Sequence, residues 1–303
     1  MADQHNGGSE GSNDKKTAQG IEVRKVPFEF PPNFRPHWHP DDPALSQLIN
    51  GTSILLPYME PFIIDAIREA GKLITDPELQ KEAKAWIGQE SQHFMQHRRF
   101  NEVLIAQGYP QLRAREKEIE QEYEALRKRP LKFQVAYTAG FETLALALGH
   151  TIIADRAHLL RGADPAVASL WLWHVVEEIE HKNLAFNVYQ HVYGDYWYRV
   201  YGMLYAMMHL TQLVRGSYMV LLKADGLWGK KKTHWAIKKL TFRLFASALP
   251  GILRHALPWH HPSRVADPAW MREWVALYDE GEKGLAKLET SRLQLSPKAM
   301  LPA

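Results

Sequence analysis

Between Lys132 and Asp155 the only Asp, Glu, Lys or Arg is Glu142, set in the run YTAGFETLALALGH. An ionised carboxylate inside an apolar helix is very unfavourable unless it is protonated, paired or bound to a cation. Any fold for this chain must therefore give Glu142 a partner. Long segments without Gly or Pro carry apolar residues at three- and four-residue spacing, and strand signals are nearly absent, so the chain reads as all-α. The 10 Trp, 12 Tyr and 11 Phe supply the bulk of a real core. There is no Cys, which removes disulfides, iron–sulfur clusters, thiolate zinc sites and cysteine nucleophiles. Any metal must be held by His, Asp and Glu.

Capping and breaker residues place four long helices in the first two thirds of the chain. The first is expected over Ala44 to Lys72. The second runs from Asp76 to Gln107, with Asp76 as cap and Pro77 in the first turn. The third covers Leu131 to Leu160, after a charged segment from Leu112 to Arg129. The fourth opens on Asp164 and Pro165 and runs to about Tyr193. A fifth helix, Trp197 to Ala224, is expected to pack across a ferritin-like four-helix bundle, with additional helices at the C-terminus. Three regions follow: a disordered leader over 1–25, the metal-binding bundle over 26–225, and a C-terminal extension over 226–303. The extension reads as a basic stretch, an apolar piece broken by Pro250, the run PWHHP, and an amphipathic helix near Pro268 to Leu288.

Glu142 has company of its own kind. In QESQHFMQH, Glu90 and His93 stand three apart and share the apolar face marked by Ala83, Trp86, Phe94 and Leu104. In WLWHVVEEIEHKNLAF, His174, Glu178 and His181 share the face of Leu170, Trp171, Val175 and Ala185. Glu60 lies in ILLPYMEPFII between Pro57 and Pro61, which loosen the turn that presents it. The order is Glu, ExxH, Glu, HxxxExxH over four long helices. It matches ferritin-like di-iron and di-manganese carboxylate proteins, with one additional His. The expected site is a pair of metal ions, iron first and manganese as the alternative. Glu60 and His93 are assigned to one ion, Glu142, His174 and His181 to the other, with Glu90 and Glu178 as bridges. His97 and His150, seven or eight residues along from ligands, are expected to support them from outside. Glu177 and Glu180 are expected on the other side of the fourth helix, facing solvent or salt-bridged.

The segments LLPYMEPFII, QESQHF and WHVVEEIEHK resemble the hallmark segments of a bacterial family of predicted metal-dependent hydrolases, over about residues 35–230. More distantly, the His four residues before the last Glu is similar to the arylamine N-oxygenases, ferritin-like enzymes in which a third histidine joins a di-iron centre; here that falls on His174, Glu178 and His181. The resemblance implies a metal-dependent enzyme. An oxidoreductase activating dioxygen on a small apolar, aromatic or lipid-like substrate, served by an electron-donor protein, is the favoured reading. A hydrolase using metal-activated water is the alternative, and a ferroxidase or iron-handling protein a further one.

Other signals are weaker. HWHPDD, residues 37–42, lacks the final His of a zinc-hydrolase motif and reads as a proline-rich loop leading into the first helix. His260 and His261 read as a surface turn, and Met207 and Met208 as core packing. Phe133 to Ala154 and Tyr201 to Leu222 are about long enough to span a bilayer but carry too many polar groups. The stretch containing Lys230, Lys231, Lys232, Lys238, Lys239, Trp228 and Trp235 reads as a solvated loop or a membrane-surface contact. A net charge of +3 argues against a nucleic-acid partner. The leader lacks an apolar core, so a cytoplasmic rather than secreted protein is expected, and self-association is left open.

Overall fold

The computed structural model describes residues 21–31 and 33–302. Among these residues there are nine α-helices, a few short 3-10 turns and no strand. The helices are α1 (Pro43–Gly71), α2 (Pro77–Ala106), α3 (Leu112–Arg127), α4 (Leu131–Leu159), α5 (Pro165–Glu180), α6 (Leu184–Val192), α7 (Tyr196–Ala224), α8 (Lys231–His255) and α9 (Ala269–Asp279). Their starts follow from one device. Asp42, Asp76, Asp164 and Asp195 each cap a helix by accepting a hydrogen bond from a backbone N–H in its first turn, and Pro follows the first three. Asp42 makes HWHPDD the loop that enters α1, and there His37 pairs with Asp225 at 2.8 Å.

Pro57 and Pro61 lie inside α1, which continues unbroken through both. Each proline lacks the N–H that would bond the carbonyl four residues earlier, leaving those of Ser53 and Pro57 free. Helix α2 fills both positions. Asn101 Nδ2 donates to Ser53 O at 2.9 Å, and Arg98 Nη2 donates to Pro57 O at 3.2 Å. The prolines thus fix how α1 lies on α2, with Glu60 between them.

The expected fourth helix is two. The segment from His181 to Asn183 interrupts it, and Leu184 N bonds His181 O, three residues back, where an α-helix would reach four. The break is pinned from outside, because Lys182 Nζ is held by Val265 O at 2.9 Å and by Asp267. His181 therefore sits at the end of α5, free of helical constraint on its C-terminal side.

Residues 1–20 of the expected leader lie outside the described residues, but Ile21 to Lys25 pack on the helices, with Arg24 buried and Val26 and Phe28 in the core. In the extension, the basic stretch and the apolar piece form one helix, α8, with Pro250 inside it. The carbonyl that Pro250 orphans belongs to exposed Ala246, where water can satisfy it. His260 is buried against His255, ring centroids 4.4 Å apart, and not on a surface turn. Met208 is exposed and not core. Among the described residues no helix is long and apolar enough to cross a membrane.

Helix α4, which carries Glu142, is set by its crossing with α7. A Cβ on Gly140 would lie 2.5 Å from Met203 Cα, and one on Gly202 would lie 2.5 Å from the Ala136 carbonyl carbon. Only backbone fits between them. Gly202→Ala is expected to lower unfolding free energy by about 1–3 kcal/mol in denaturant titration; unchanged stability would mean that the two helices are free to separate.

Candidate metal centre

All seven expected ligands converge. Helix α1 brings Glu60, α2 brings Glu90 and His93, α4 brings Glu142, α5 brings His174 and Glu178, and His181 follows at its end. None is more than 4% exposed. Their ligand atoms fall into two groups, Glu60, His93 and His174 in one and Glu90, Glu142, Glu178 and His181 in the other, each within 4.8 Å of one another. His174 thus stands with Glu60 and His93, and not, as expected, with Glu142 and His181. It is one helical turn before Glu178, on the side of α5 that meets His93, and the two imidazoles stack at 4.3 Å.

The two expected bridges lie between the groups. Glu178 Oε1 is 3.1 Å from His174 Nε2 and 3.7 Å from His93 Nδ1, while its Oε2 is 3.2 Å from His181 Nε2. One carboxylate therefore turns an oxygen to each group. Glu90 Oε1 is 3.4 Å from His181 Nε2 and 3.8 Å from His93 Nδ1. Glu142 Oε2 closes the second group at 3.4 Å from His181 Nε2.

Each histidine is held by its outer nitrogen so that the other faces the centre. His93 Nε2 donates to Glu177 Oε2 at 2.9 Å, leaving Nδ1 inward. Gln89 Nε2 donates to Glu180 and to Glu22 O, so its Oε1 accepts from His181 Nδ1 at 3.1 Å and His181 Nε2 is left inward. The third case is a chain. Ser53 Oγ donates to Asn101 Oδ1, so it accepts from His97 Nδ1; His97 Nε2 then accepts from His174 Nδ1 at 3.1 Å, which leaves His174 Nε2 inward. Such outer contacts are what orient metal-binding imidazoles. Trp86 Nε1 likewise donates to Glu142 Oε1 at 2.9 Å and leaves Oε2 for the centre.

His97 supports His174, but His150 has no part in the site. Eight residues beyond Glu142 puts it about 12 Å along α4, in a cleft with His255 and Arg254 of α8. Glu177 and Glu180 are salt-bridged, as one of the two expectations had it, but to Arg24 and around the centre instead of away from it. Glu177 is fully buried and joins His93 to Arg24, which also donates twice to Glu180, at 2.7 and 2.8 Å. Arg24 fell in the expected leader, where its apolar neighbours Ile21, Val23 and Val26 were the available signal. Glu177 precedes His181 by one helical turn, which was the signal for its inward face.

Burial sets the charge on these groups. Burial, with Glu90 as the largest neighbour, holds the Glu60 carboxyl well above the usual range; burial does the same to Glu142, and burial with Glu178 raises Glu90. Burial opposes a charge on His181, yet Glu142 and Glu178 raise it to about 9. His93 is also raised, because Glu177 and Glu90 outweigh its burial. Burial and the His93 charge lower His174 to about 4, and burial would raise Glu178 but His181 and His174 hold it low. Without a cation the cluster retains protons that solvent-exposed groups would release.

The donor set fits two metal ions. Both oxygens of Glu60 and of Glu90, Oε2 of Glu142, Oε1 of Glu178 and Nδ1 of His93 are buried with no hydrogen-bond partner among the described residues. Such atoms are costly to bury without a partner. Four carboxylates balance two divalent cations, which would give a neutral centre inside an apolar core. Helices alone, with a buried carboxylate and imidazole cluster fit for two metals, define the class. The chain belongs to the family of predicted metal-dependent hydrolases, whose family model matches residues 22–266. No curated protein and no solved structure matches the chain.

Groups with raised pKa bind more protons folded than unfolded, so the metal-free protein should lose stability as pH rises from about 6.5 towards about 9, the interval through which His181 titrates. Metal loading displaces those protons, and melting temperatures of the loaded protein should lack that fall; equal slopes with and without metal would contradict this. Gln89→Leu removes the acceptor for His181 Nδ1 and should weaken metal binding about 10–100-fold in competition titrations. Unaltered affinity would show that Gln89 does not orient the imidazole.

Proposed function

We propose that the two groups hold a pair of iron ions, with manganese as the alternative, in a ferritin-like bundle, and that the loaded protein is an oxidoreductase using dioxygen on a small apolar or lipid-like substrate. The carrying observation is four carboxylates and three imidazoles, none more than 4% exposed, converging with unpartnered oxygens on a shared centre. Oxygen and nitrogen donors without thiolate suit iron and manganese. Their order over four helices is that of ferritin-like dimetal carboxylate proteins, with His174 added. Bound metals would supply electrons to dioxygen and a Lewis-acid site.

The chain's own residues set the conditions for that chemistry. Glu178 and Glu90 lie between the two groups and would keep the metals at a fixed separation. Trp86, Trp173 and the buried histidines keep bulk water from the centre, with Trp173 edge-on to His93 at 4.9 Å. Dioxygen is small and apolar enough to reach such a site. An electron-donor protein would complete the cycle. The second reading is hydrolysis by a metal-activated water, which the family's description favours.

The test is anaerobic loading with ferrous iron, followed by oxygen, with metal analysis, optical spectra and oxygen uptake as readouts. Two irons per chain and a prompt optical change on oxygen addition are expected, and Glu178→Ala should lose loading in both groups. Fewer than two irons, or no response to oxygen, would overturn the oxidoreductase reading. Ester or amide cleavage by the metal-loaded protein without oxygen would establish the second.

A further inference from the structure

The outward side of α8 is apolar along most of its length. Trp235 and Phe242 are 74% and 75% exposed, and Leu253 is exposed two residues from the helix end. Spacings of seven and eleven residues stack these three on one side of the helix. Phe245 and Trp259 add to the exposed apolar surface, and Trp197, Leu204 and Met208 are exposed on α7, which shares two apolar clusters with α8. Solvated helices carry polar residues at such positions.

The charge on α8 is as one-sided as its apolar stripe. The helix holds Lys231, Lys232, Lys238, Lys239, Arg243 and Arg254, and no Asp or Glu. Arg243 is paired with Asp155 at 2.6 Å, but the four lysines have no carboxylate partner among the described residues. By helical spacing they flank Trp235 and Phe242 on both sides. A second copy of the chain docked through this face would set four unpaired lysines against four, with no acid on either helix, which is repulsive. An anionic bilayer offers the complement, since its headgroup region accepts Trp and Phe while its phosphates meet lysine. No helix among the described residues is long and apolar enough to span, so the contact is with the surface.

We propose that α8 docks the protein on anionic membranes, with Trp235 and Phe242 entering the headgroup region and Lys238 and Lys239 meeting lipid phosphates. The metal centre takes no part in this contact. Flotation of the full chain with phosphatidylcholine vesicles, with and without phosphatidylglycerol, tests it. Binding is expected only when phosphatidylglycerol is present, weakened about tenfold or more by W235A/F242A and by K238E/K239E. Both pairs are surface changes, so helicity and metal content should stay as in the parent. Absence of binding to the anionic vesicles, equal binding to both lipids, or binding that survives W235A/F242A would overturn the proposal. A dimer that W235A/F242A dissociates, without vesicle binding, would assign the face to a second copy.

Discussion

Buried carboxylates without partners are the constraint on which the rest of this protein depends. Glu60, Glu90, Glu142 and Glu178 enter an apolar core from four different helices, and six of their eight oxygens have no hydrogen-bond partner among the described residues. A core of this kind would repel itself apart unless cations offset it or protons stayed on the carboxyls. The raised carboxyl and imidazole pKa values express the second solution, and two divalent ions would supply the first.

The surroundings are built to hold that core in one arrangement. The paired prolines of α1 leave carbonyls that only α2 satisfies, so the helix bearing Glu60 is locked to the helix bearing Glu90 and His93. Glycine contacts between α4 and α7 fix the height of Glu142. The break after α5 lets His181 turn towards three carboxylates while Gln89 holds its far nitrogen. Arg24 ties the N-terminal segment to Glu177 and so to His93, which makes a stretch outside the helices part of the candidate metal centre. These contacts turn one nitrogen of each of the three imidazoles inward before any metal arrives, the condition for tight and selective binding.

Much of this was legible in the sequence because burial of charge is hard to disguise. A lone Glu142 in a long apolar run, and Glu90 and Glu178 on apolar faces three residues from histidines, stand out by helical spacing alone. Asp-Pro pairs marked where α2 and α5 begin. Spacing along one helix could not tell which group His174 joins, because that depends on how α5 leans on α2. Nor could it show that α5 stops at Glu180, since the hold on Lys182 comes from Val265 and Asp267, more than eighty residues away in the chain. His150 shares a face of α4 with Glu142 but lies too far along the axis, a distance that periodicity ignores. Arg24 was hidden by its neighbourhood, a polar, glycine-rich start that merges into the packed segment.

The central claim is that two ions share one carboxylate cluster, and anomalous diffraction from crystals grown with manganese or iron tests it most directly. Two peaks are expected about 3.5–4 Å apart, one among Glu60, His93 and His174 and the other among Glu90, Glu142, Glu178 and His181. A single peak, peaks outside these residues, or none at saturating metal would contradict it.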